Sequence, residues 1–265
     1  MITAIASLYA LACSGLLANQ TRLDVVADNI ANSNTPGFKS SHTLFSEALD
    51  PVAEAVDGTD LGRYEGVRIL EISPDLSQGM VTPSESPWHL AVDGPGFFQV
   101  RLPDGTLAYT RHGQFQIDGD GQLVTAEGYP LDPPITVPSL GTSFAVNADG
   151  VILGMFEAND EPAGQTIREM REVGRVSVVG FVNPEGLLRM GDSLFAATPA
   201  SGSPLEETPD GRPWGDLIGG ATESSNTSLV GSMTDLLAAN RAYAISARLL
   251  QVIDESAQFA NELVR

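Results

Sequence analysis

The sequence has few of the residues that build covalent, metal-bound or catalytic centres. It contains one cysteine, Cys13, and three histidines in 265 residues. A single cysteine excludes an intramolecular disulfide and a zinc site made of several thiolates. The histidines share no ligand spacing, and neither a nucleophile–base motif nor a phosphate-binding glycine loop followed by a helix occurs. A hydrolase would need such a cluster, so the sequence predicts no enzyme activity, no metal site and no cofactor.

Positive charge is also scarce. The chain carries 14 basic against 34 acidic residues, a net charge of −20. Such a surface repels nucleic acids and anionic membranes. The apolar stretch over residues 2–18 lacks the basic flank of a signal peptide, because the first cation is Arg22, and it is short and diluted for a membrane span. We therefore expect no nucleic-acid partner, no small-molecule substrate, no direct membrane insertion, and export without a cleaved signal peptide.

Apolar residues are present in regular seven-residue spacing at both ends of the chain. This spacing predicts two long helices, each with a narrow apolar stripe that is only marginally stable until another helix covers it. The stripes are expected to pair with each other or with other chains, although an ordinary helical hairpin inside one globular fold is the simpler alternative. The predicted assembly seam consists of Ile2, Ile5, Tyr9, Leu16, Leu23, Val26, Ile30, Leu229, Leu236, Tyr243, Leu250, Ile253 and Val264.

Between the predicted helices the pattern changes to short alternating runs separated by Gly-, Pro- and Asp-rich turns, which is typical of antiparallel strands. The predicted fold class is α+β: terminal helices paired as a coiled-coil-like bundle, with a central, mostly antiparallel β-domain. Residues 155–174 are expected to form a loop or short helix within that domain. The predicted divisions are an N-terminal helix and elbow (1–39), an extended connector with a possible short helix (40–87), the β-domain (88–200), a linker (201–221) and a C-terminal helix (222–265).

A polar, turn-rich string, residues 28–39, ends the first predicted helix. Asparagine side chains compete for backbone hydrogen bonds, proline cannot continue a helix, and glycine tolerates positive φ. An aromatic residue after the glycine is expected to fold back onto an apolar face. The predicted helix stop and elbow comprise Asn29, Asn32, Thr35, Pro36, Gly37 and Phe38.

The same string closely resembles the N-terminal signature of the bacterial flagellar rod and hook family, a helix ending in N-[IL]-A-N-x-x-T-x-G-[FY]. Residues 225–254 are similar to the C-terminal helix of that family, with Asn240 where glutamine is usual. Residues 90–131 and 180–204 are similar to its β-domain and to the return segment. The resemblance therefore spans nearly the whole chain.

The resemblance implies a tubular polymer in the flagellar basal body, built from copies of the chain and from neighbouring rod and hook subunits around an export channel. Its function would be to transmit torque from motor to hook. One β-domain points to a distal rod subunit, with a proximal rod paralogue as the alternative, and the connector between Phe38 and Gly79 is shorter than usual. From the residues alone, a secreted oligomeric binding module with a helical stalk stays open as a second possibility.

Overall fold

The computed structural model describes the fold of residues 2–50, 63–138, 141–160, 165–206 and 214–263. The chain forms two compact units. The first, called here the helical unit, comprises Met1–Ala31, Ser41–Asp75 and Ser228–Arg265. The second, called the β-unit, comprises Asn32–Ser40 and Leu76–Thr227.

In its described residues, the helical unit contains two helices and one β-hairpin. The helices are α1 (Ile2–Ala31) and α2 (Leu229–Leu263), and the strands are β1 (Ser41–Asp50) and β2 (Arg63–Pro74). The hairpin is antiparallel, and two register shifts interrupt its ladder. α1 packs along α2 and also contacts both strands.

Polar contacts show how the two helices are aligned. The Tyr9 hydroxyl donates a hydrogen bond to the Asp254 carboxylate, and Asn19 Nδ2 donates to Ser246 Oγ over 3.3 Å. Later residues of α1 therefore meet earlier residues of α2, so the helices run antiparallel. The hydrogen bond to Asp254, together with desolvation, raises the pKa of Tyr9 above its ordinary value.

A glycine allows the hairpin to lie close to α1. Gly66 has φ +109°, and a Cβ at this position would overlap the hydroxyl of Ser14. The next amide, Val67 N–H, donates to that same Ser14 Oγ over 3.2 Å. Any larger residue at position 66 would both strain the backbone and displace β2 from the helix.

The prediction of a short helix within the connector is wrong for the described residues. Residues 41–50 form strand β1, and residues 51–62 lie outside the description. The alanines and glutamates of this segment favour helix, but β1 takes its backbone partners from β2, more than ten residues later. Pairing with a distant strand overrides the local preference for helix. The sequence of one segment alone cannot show that pairing.

The β-unit consists of short antiparallel strands. A five-stranded sheet has the order β12-β5-β6-β14-β13, a three-stranded sheet has the order β11-β10-β9, and three two-stranded pairs are β15-β4, β16-β3 and β7-β8. A 3₁₀-helix covers Pro184–Gly186. The strands are β3 (Val81–Pro83), β4 (Leu90–Asp93), β5 (Phe97–Arg101), β6 (Leu107–Thr110), β7 (Gln116–Ile117), β8 (Leu123–Val124), β9 (Gly141–Val146), β10 (Val151–Asp160), β11 (Gln165–Arg175), β12 (Val178–Val179), β13 (Leu188–Gly191), β14 (Leu194–Ala196), β15 (Asp216–Gly219) and β16 (Ala221–Glu223).

The five-stranded sheet buries apolar side chains on both faces. Successive residues of a strand point to opposite faces, so Phe97 and Phe98 belong to different clusters. Phe98 packs edge-on against Phe115 with ring centroids 5.1 Å apart. Phe97 meets Phe181 and Phe195 at 6.1 and 5.9 Å. Two aromatic-rich clusters around one sheet give the β-unit a substantial core of its own.

Two further segments differ from expectation. Residues 155–174, expected as a loop or short helix, belong instead to the hairpin of β10 and β11, whose tip, residues 161–164, lies outside the description. Their glutamates and arginines favour helix, but cross-strand contacts such as Arg171 over the Phe156 ring favour the sheet. The expected linker contains β15 and the start of β16, which pair with β4 and β3, while residues 207–213 are outside the description.

The predicted fold class is confirmed, because helices lie at both ends of the chain and a mostly antiparallel β region lies between them. Across the described residues, no helix has the length and apolarity that a membrane crossing requires.

We expect the helical unit to open more readily than the β-unit. The buried apolar side chains of α1 and α2 are mainly alanines, whereas β5 and β6 lie beneath aromatic clusters. In dilute monomer, amides of α1 and α2 should exchange hydrogen faster than those of β5 and β6, by roughly 100-fold or more. Equal protection of helices and strands at low concentration would contradict this prediction.

The Tyr9–Asp254 contact should make the helix pair sensitive to alkali. Because the folded pKa of Tyr9 is raised above 10.0, the unfolded chain loses this proton first, and the stabilisation is lost as pH rises from about 10 through the folded pKa. Absorbance titration of the chain minus that of Tyr9→Phe isolates this group. Asp254→Asn is the control and should move the transition back down; a difference titration that Asp254→Asn leaves unchanged argues against the contact.

Candidate assembly interface

The structure brings most of the predicted seam together inside the helical unit. On α2, Leu236, Tyr243 and Leu250 are half-buried, and Ile253 is buried. The seam residues of α1 with described side chains are also at least half-buried: Tyr9, Leu16, Leu23, Val26 and Ile30. Since α1 and α2 contact each other along their length, the two stripes pair within one chain.

Four seam residues differ or cannot be placed. Leu229 is 45% exposed, because it is the first residue of α2 and precedes the packed part of the helix. Ile2 and Ile5 lie in α1, but their side chains are outside the description, as is all of Val264. The role of the whole seam in assembly stays a prediction.

The innermost contacts of the helix pair are made by small side chains. Ala12, Ala18 and Ala239 are buried, and Ala239 is 0% exposed. Small residues let two helix backbones approach closely, but they remove little apolar surface from water. The helical unit therefore has a thin core.

Large apolar side chains lie instead on the surface of the helical unit. On α2 they form a second stripe, called here the outer stripe, with an average spacing close to two helical turns. Its residues are between 51% and 77% exposed: Val230, Leu237, Ile245, Val252 and Phe259. Counting by sevens from the seam missed this stripe, although the same count from residue 245 reaches Val252 and Phe259.

α1 and the hairpin also expose apolar side chains, on surfaces distinct from α2. These residues are Leu8, Leu11 and Leu17 on α1, and Leu44, Phe45, Val67, Leu70 and Ile72 on the hairpin. An open apolar groove of about 490 Å³ is lined by Leu11, Phe45 and Val67, among others. Single exposed apolar residues are ordinary, but continuous stripes of them mark interaction surfaces.

The chain stops α1 where the sequence predicts, but Asn29 acts differently from expectation. α1 ends at Ala31. Buried Asn29 does not compete with the helix backbone of its own turn: its Nδ2 donates to Ser41 O and its Oδ1 accepts from Ser41 N–H, each over 2.8 Å. The side chain thus imitates one step of a β-ladder and holds the start of β1 beside the end of α1.

The elbow itself belongs to the β-unit. Thr35 N–H and its hydroxyl donate to Asn32 over 3.1 and 3.2 Å, which closes a turn just before Pro36. Gly37 has φ +68°, and a Cβ there would clash with the backbone of residues 111 and 112. Phe38 is buried, with the guanidinium of Arg189 4.5 Å from its ring centroid.

Sequence reasoning missed a buried ionic cluster beside the elbow. Lys39 Nζ lies 2.6 Å from Glu223 Oε1, and both side chains are 1% exposed. Gly79 N–H donates to the same oxygen over 2.7 Å, and the second carboxylate oxygen lies 3.4 Å from Arg111. Burial lowers the pKa of Arg111, and the charge of Glu223 opposes that shift. Removing one partner of such a buried pair typically costs about 3–5 kcal/mol.

The cluster carries two positive charges and one negative charge. The excess positive charge is stabilised by carbonyl oxygens, because Arg111 donates to Gly94 O over 2.6 Å. The Arg111 guanidinium also lies 5.0 Å from the centroid of the Phe97 ring, a cation–π contact. The residues of this cluster come from positions far apart in sequence, so no local spacing reveals them. One signal was available: Lys39 is the only lysine in the chain.

The polar residues just before α2 have two different roles. Ser228 Oγ accepts from Gly231 N–H over 3.3 Å and so caps α2. Asn226 instead accepts from Ser40 N–H over 2.8 Å and donates to Ser77 Oγ over 3.1 Å.

Three protein-family descriptions match parts of the chain. "Flagella basal body rod protein" covers residues 11–39, which include most of α1 and the elbow. "Flagellar hook protein FlgE/F/G D1 domain" covers residues 91–154 of the β-unit. "Flagellar basal body rod FlgEFG protein C-terminal" covers residues 218–263, from β15 through α2.

Whole-length relatives agree with these matches. The chain is 33% identical to "Flagellar basal-body rod protein FlgG" of Buchnera aphidicola subsp. Schizaphis graminum, over 94% of this chain and 96% of that protein. It is 33% identical to the FlgG protein of Caulobacter vibrioides, over 95% and 97%. Identity to "Flagellar basal-body rod protein FlgF" of Escherichia coli is 30%, over 91% of each chain. With this identity over nearly its full length, the chain belongs to the family of flagellar basal-body rod proteins.

Proposed function

We propose that this chain polymerises, with copies of itself and with neighbouring rod and hook subunits, into a helical tube that transmits torque from motor to hook. The observation that carries the proposal is the distribution of apolar side chains in the helical unit. Alanines lie inside, while the large side chains of the outer stripe lie in solvent. A helix pair built this way gains most of its apolar burial from other molecules.

Burial of the outer stripe would stabilise an assembly strongly. Covering one large aliphatic or aromatic side chain contributes about 1.5–3 kcal/mol, and the stripe has five of them. The apolar surfaces of α1 and the hairpin are different from the outer stripe, so a contact between them is not self-complementary. A repeated contact between two different surfaces produces an open helical polymer unless the rotation closes.

The finer features of this function are proposals as well. The FlgG proteins named above favour the distal part of the rod over the proximal part, and they favour a rod subunit over an oligomeric binding module. We propose a purely mechanical role without enzyme activity, with protein partners alone. The net charge of −20 disfavours nucleic acid and anionic membranes as partners. Because residues 2–31 form α1, we propose that this segment is kept after export to the basal body.

Deletion in the flagellated host tests the proposal. Without the chain, isolated basal bodies should show a rod that stops before the hook by electron microscopy, and the cells should not swim. Complementation with the full chain should restore both. A complete rod and hook in the deletion strain would overturn the proposed function.

Charge on the outer stripe should prevent assembly without unfolding the subunit. Ile245 is 71% exposed, so Ile245→Asp should leave the circular dichroism of the monomer unchanged and abolish polymers in sedimentation and electron microscopy. Exposed Asn240 lies on the same helix, outside the stripe, and Asn240→Asp should assemble normally. Polymers formed by Ile245→Asp would show that the stripe is not an interface.

Charge on the seam should act differently. Leu236 and Leu16 are half-buried where α1 meets α2, so Leu236→Asp or Leu16→Asp should reduce helix content as well as assembly, while the β-unit stays folded. Near-ultraviolet circular dichroism of the aromatic β-unit provides the check. A polymer containing either variant would contradict the seam assignment.

The single cysteine supplies a probe that needs no substitution. Cys13 is exposed on α1, near exposed Leu17. A maleimide should label Cys13 within minutes in dilute monomer and at least about tenfold more slowly in polymer, if neighbours cover this part of α1. Equal labelling in both states would exclude this surface of α1 from the contacts between subunits.

A further inference from the structure

The chain passes between its two units at four places only: after Ala31, Ser40, Asp75 and Thr227. All four lie within six residues of three short segments that meet inside the β-unit. We call these segments, residues 37–40, 77–80 and 223–226, the root joint. Any force carried along the covalent chain from one unit to the other enters or leaves the β-unit beside this joint.

Backbone and amide hydrogen bonds hold the first and third segments side by side. Gly37 N–H donates to Glu223 O over 2.7 Å, and Asn226 N–H donates to Phe38 O over 3.4 Å. Ser40 N–H donates to Asn226 Oδ1 over 2.8 Å. The two segments run in the same direction, because later residues of one pair with later residues of the other.

The middle segment is bound to both of the others. Lys39 Nζ donates to Ser77 O over 2.7 Å, and Asn226 Nδ2 donates to the same oxygen over 3.2 Å. Ser224 N–H donates to Met80 O over 2.8 Å. The segment that follows the hairpin is therefore tied to the segments that follow α1 and precede α2.

The Glu223 carboxylate binds all three segments and the sheet. It accepts from Lys39 of the first segment and Gly79 of the second, and it is itself part of the third. Through Arg111, which follows β6, it is also joined to the five-stranded sheet. A neutral or apolar side chain at this position would leave two buried cations without their counter-charge.

We propose that the root joint, centred on Glu223, is the fastening that carries mechanical load between the connections to the helical unit and the sheets of the β-unit. The proposal rests on the proposed function, since only a torque-transmitting subunit places such a load on it. Glu223 and Lys39 are positioning residues in this scheme. Both act inside the subunit: they keep the connecting segments from being pulled away from the sheet.

Single-molecule pulling on the full chain tests the joint directly. One handle is attached at Cys13 on α1, and the second at Glu127→Cys, in an exposed turn of the β-unit. Opening of the joint should free residues 76–80 and 224–227, each about 15 Å of chain, and so lengthen the molecule by about 15 Å in a step separate from unfolding of the β-unit. Three variants are compared with the parent: Lys39→Met, Glu223→Gln and the core substitution Ile152→Val.

The joint variants should open at lower force. At a fixed force, Lys39→Met and Glu223→Gln should release the 15 Å step roughly 100-fold faster than the parent. Ile152 is buried in the larger core cluster, away from the joint residues, so Ile152→Val should lower the melting temperature but leave this first step unchanged. Equal acceleration by Ile152→Val, or no separate step in the parent, would overturn the proposal.

Chemistry at the only lysine gives a second readout. In the folded parent, an amine-reactive ester should modify Lys39 at least about 100-fold more slowly than in the denatured chain, measured by mass spectrometry of peptides. Glu223→Gln should remove most of this protection while the Trp fluorescence, which comes from the β-unit, persists. Fast modification in the parent would show that the joint is open at rest and would also overturn the proposal.

Swimming separates a failure of the joint from a failure of the rod function. In the host, Lys39→Met should still form complete rods, but swimming should fall more steeply with medium viscosity than for Ile152→Val. If both variants respond equally, the joint proposal fails and the rod function stands. If deletion of the chain leaves rods and swimming intact, the rod function itself fails.

Discussion

A carboxylate inside a protein must be paired, and in this chain the pairing of Glu223 determines how the β-unit is closed. Its cationic partners are Lys39, beside the elbow, and Arg111, which follows β6. The backbone N–H of Gly79 is its third hydrogen-bonding partner. If any of these segments moved away, a buried charged group would lose a partner while it is still enclosed by the protein. The elbow is consequently an integral part of the β-unit, although the sequence pattern attaches it to the helix before it.

The two units differ in how many of their large apolar side chains are buried. The β-unit buries aromatic side chains on both faces of its main sheet and has the core expected of an independent domain. The helical unit buries mainly alanines, with Val26 and Ile253, and leaves the large apolar side chains of the outer stripe in solvent. One unit is complete as a single molecule, and in the proposed polymer neighbouring subunits would cover the exposed apolar surface of the other.

The terminal helices, the antiparallel middle and the end of α1 could be predicted because each depends on local periodicity or turn residues. The seam residues Leu236 and Leu250 were found by a simple count of sevens. Strands β1 and β11 were missed because their residues favour helix or loop locally and take their partners from elsewhere in the chain. The outer stripe was missed because a seven-residue count that starts on the assembly seam never reaches residues on the opposite face of the helix.

The ionic cluster could not be found from spacing, since residues 39, 111 and 223 meet only in the folded chain. Composition did hold a clue to it. A chain with thirteen arginines uses its one lysine where a compact ammonium group fits between the Ser77 carbonyl oxygen and the Glu223 carboxylate.

That lysine has a consequence for the chemistry of the folded surface. With Lys39 buried, no lysine amine is presented to solvent. Aldehyde fixatives and acetylating agents that act on lysine amines find none on the surface of the intact subunit, and proteases that cleave after lysine have their one site enclosed. The folded protein therefore presents no lysine to reagents that act only on lysine side chains.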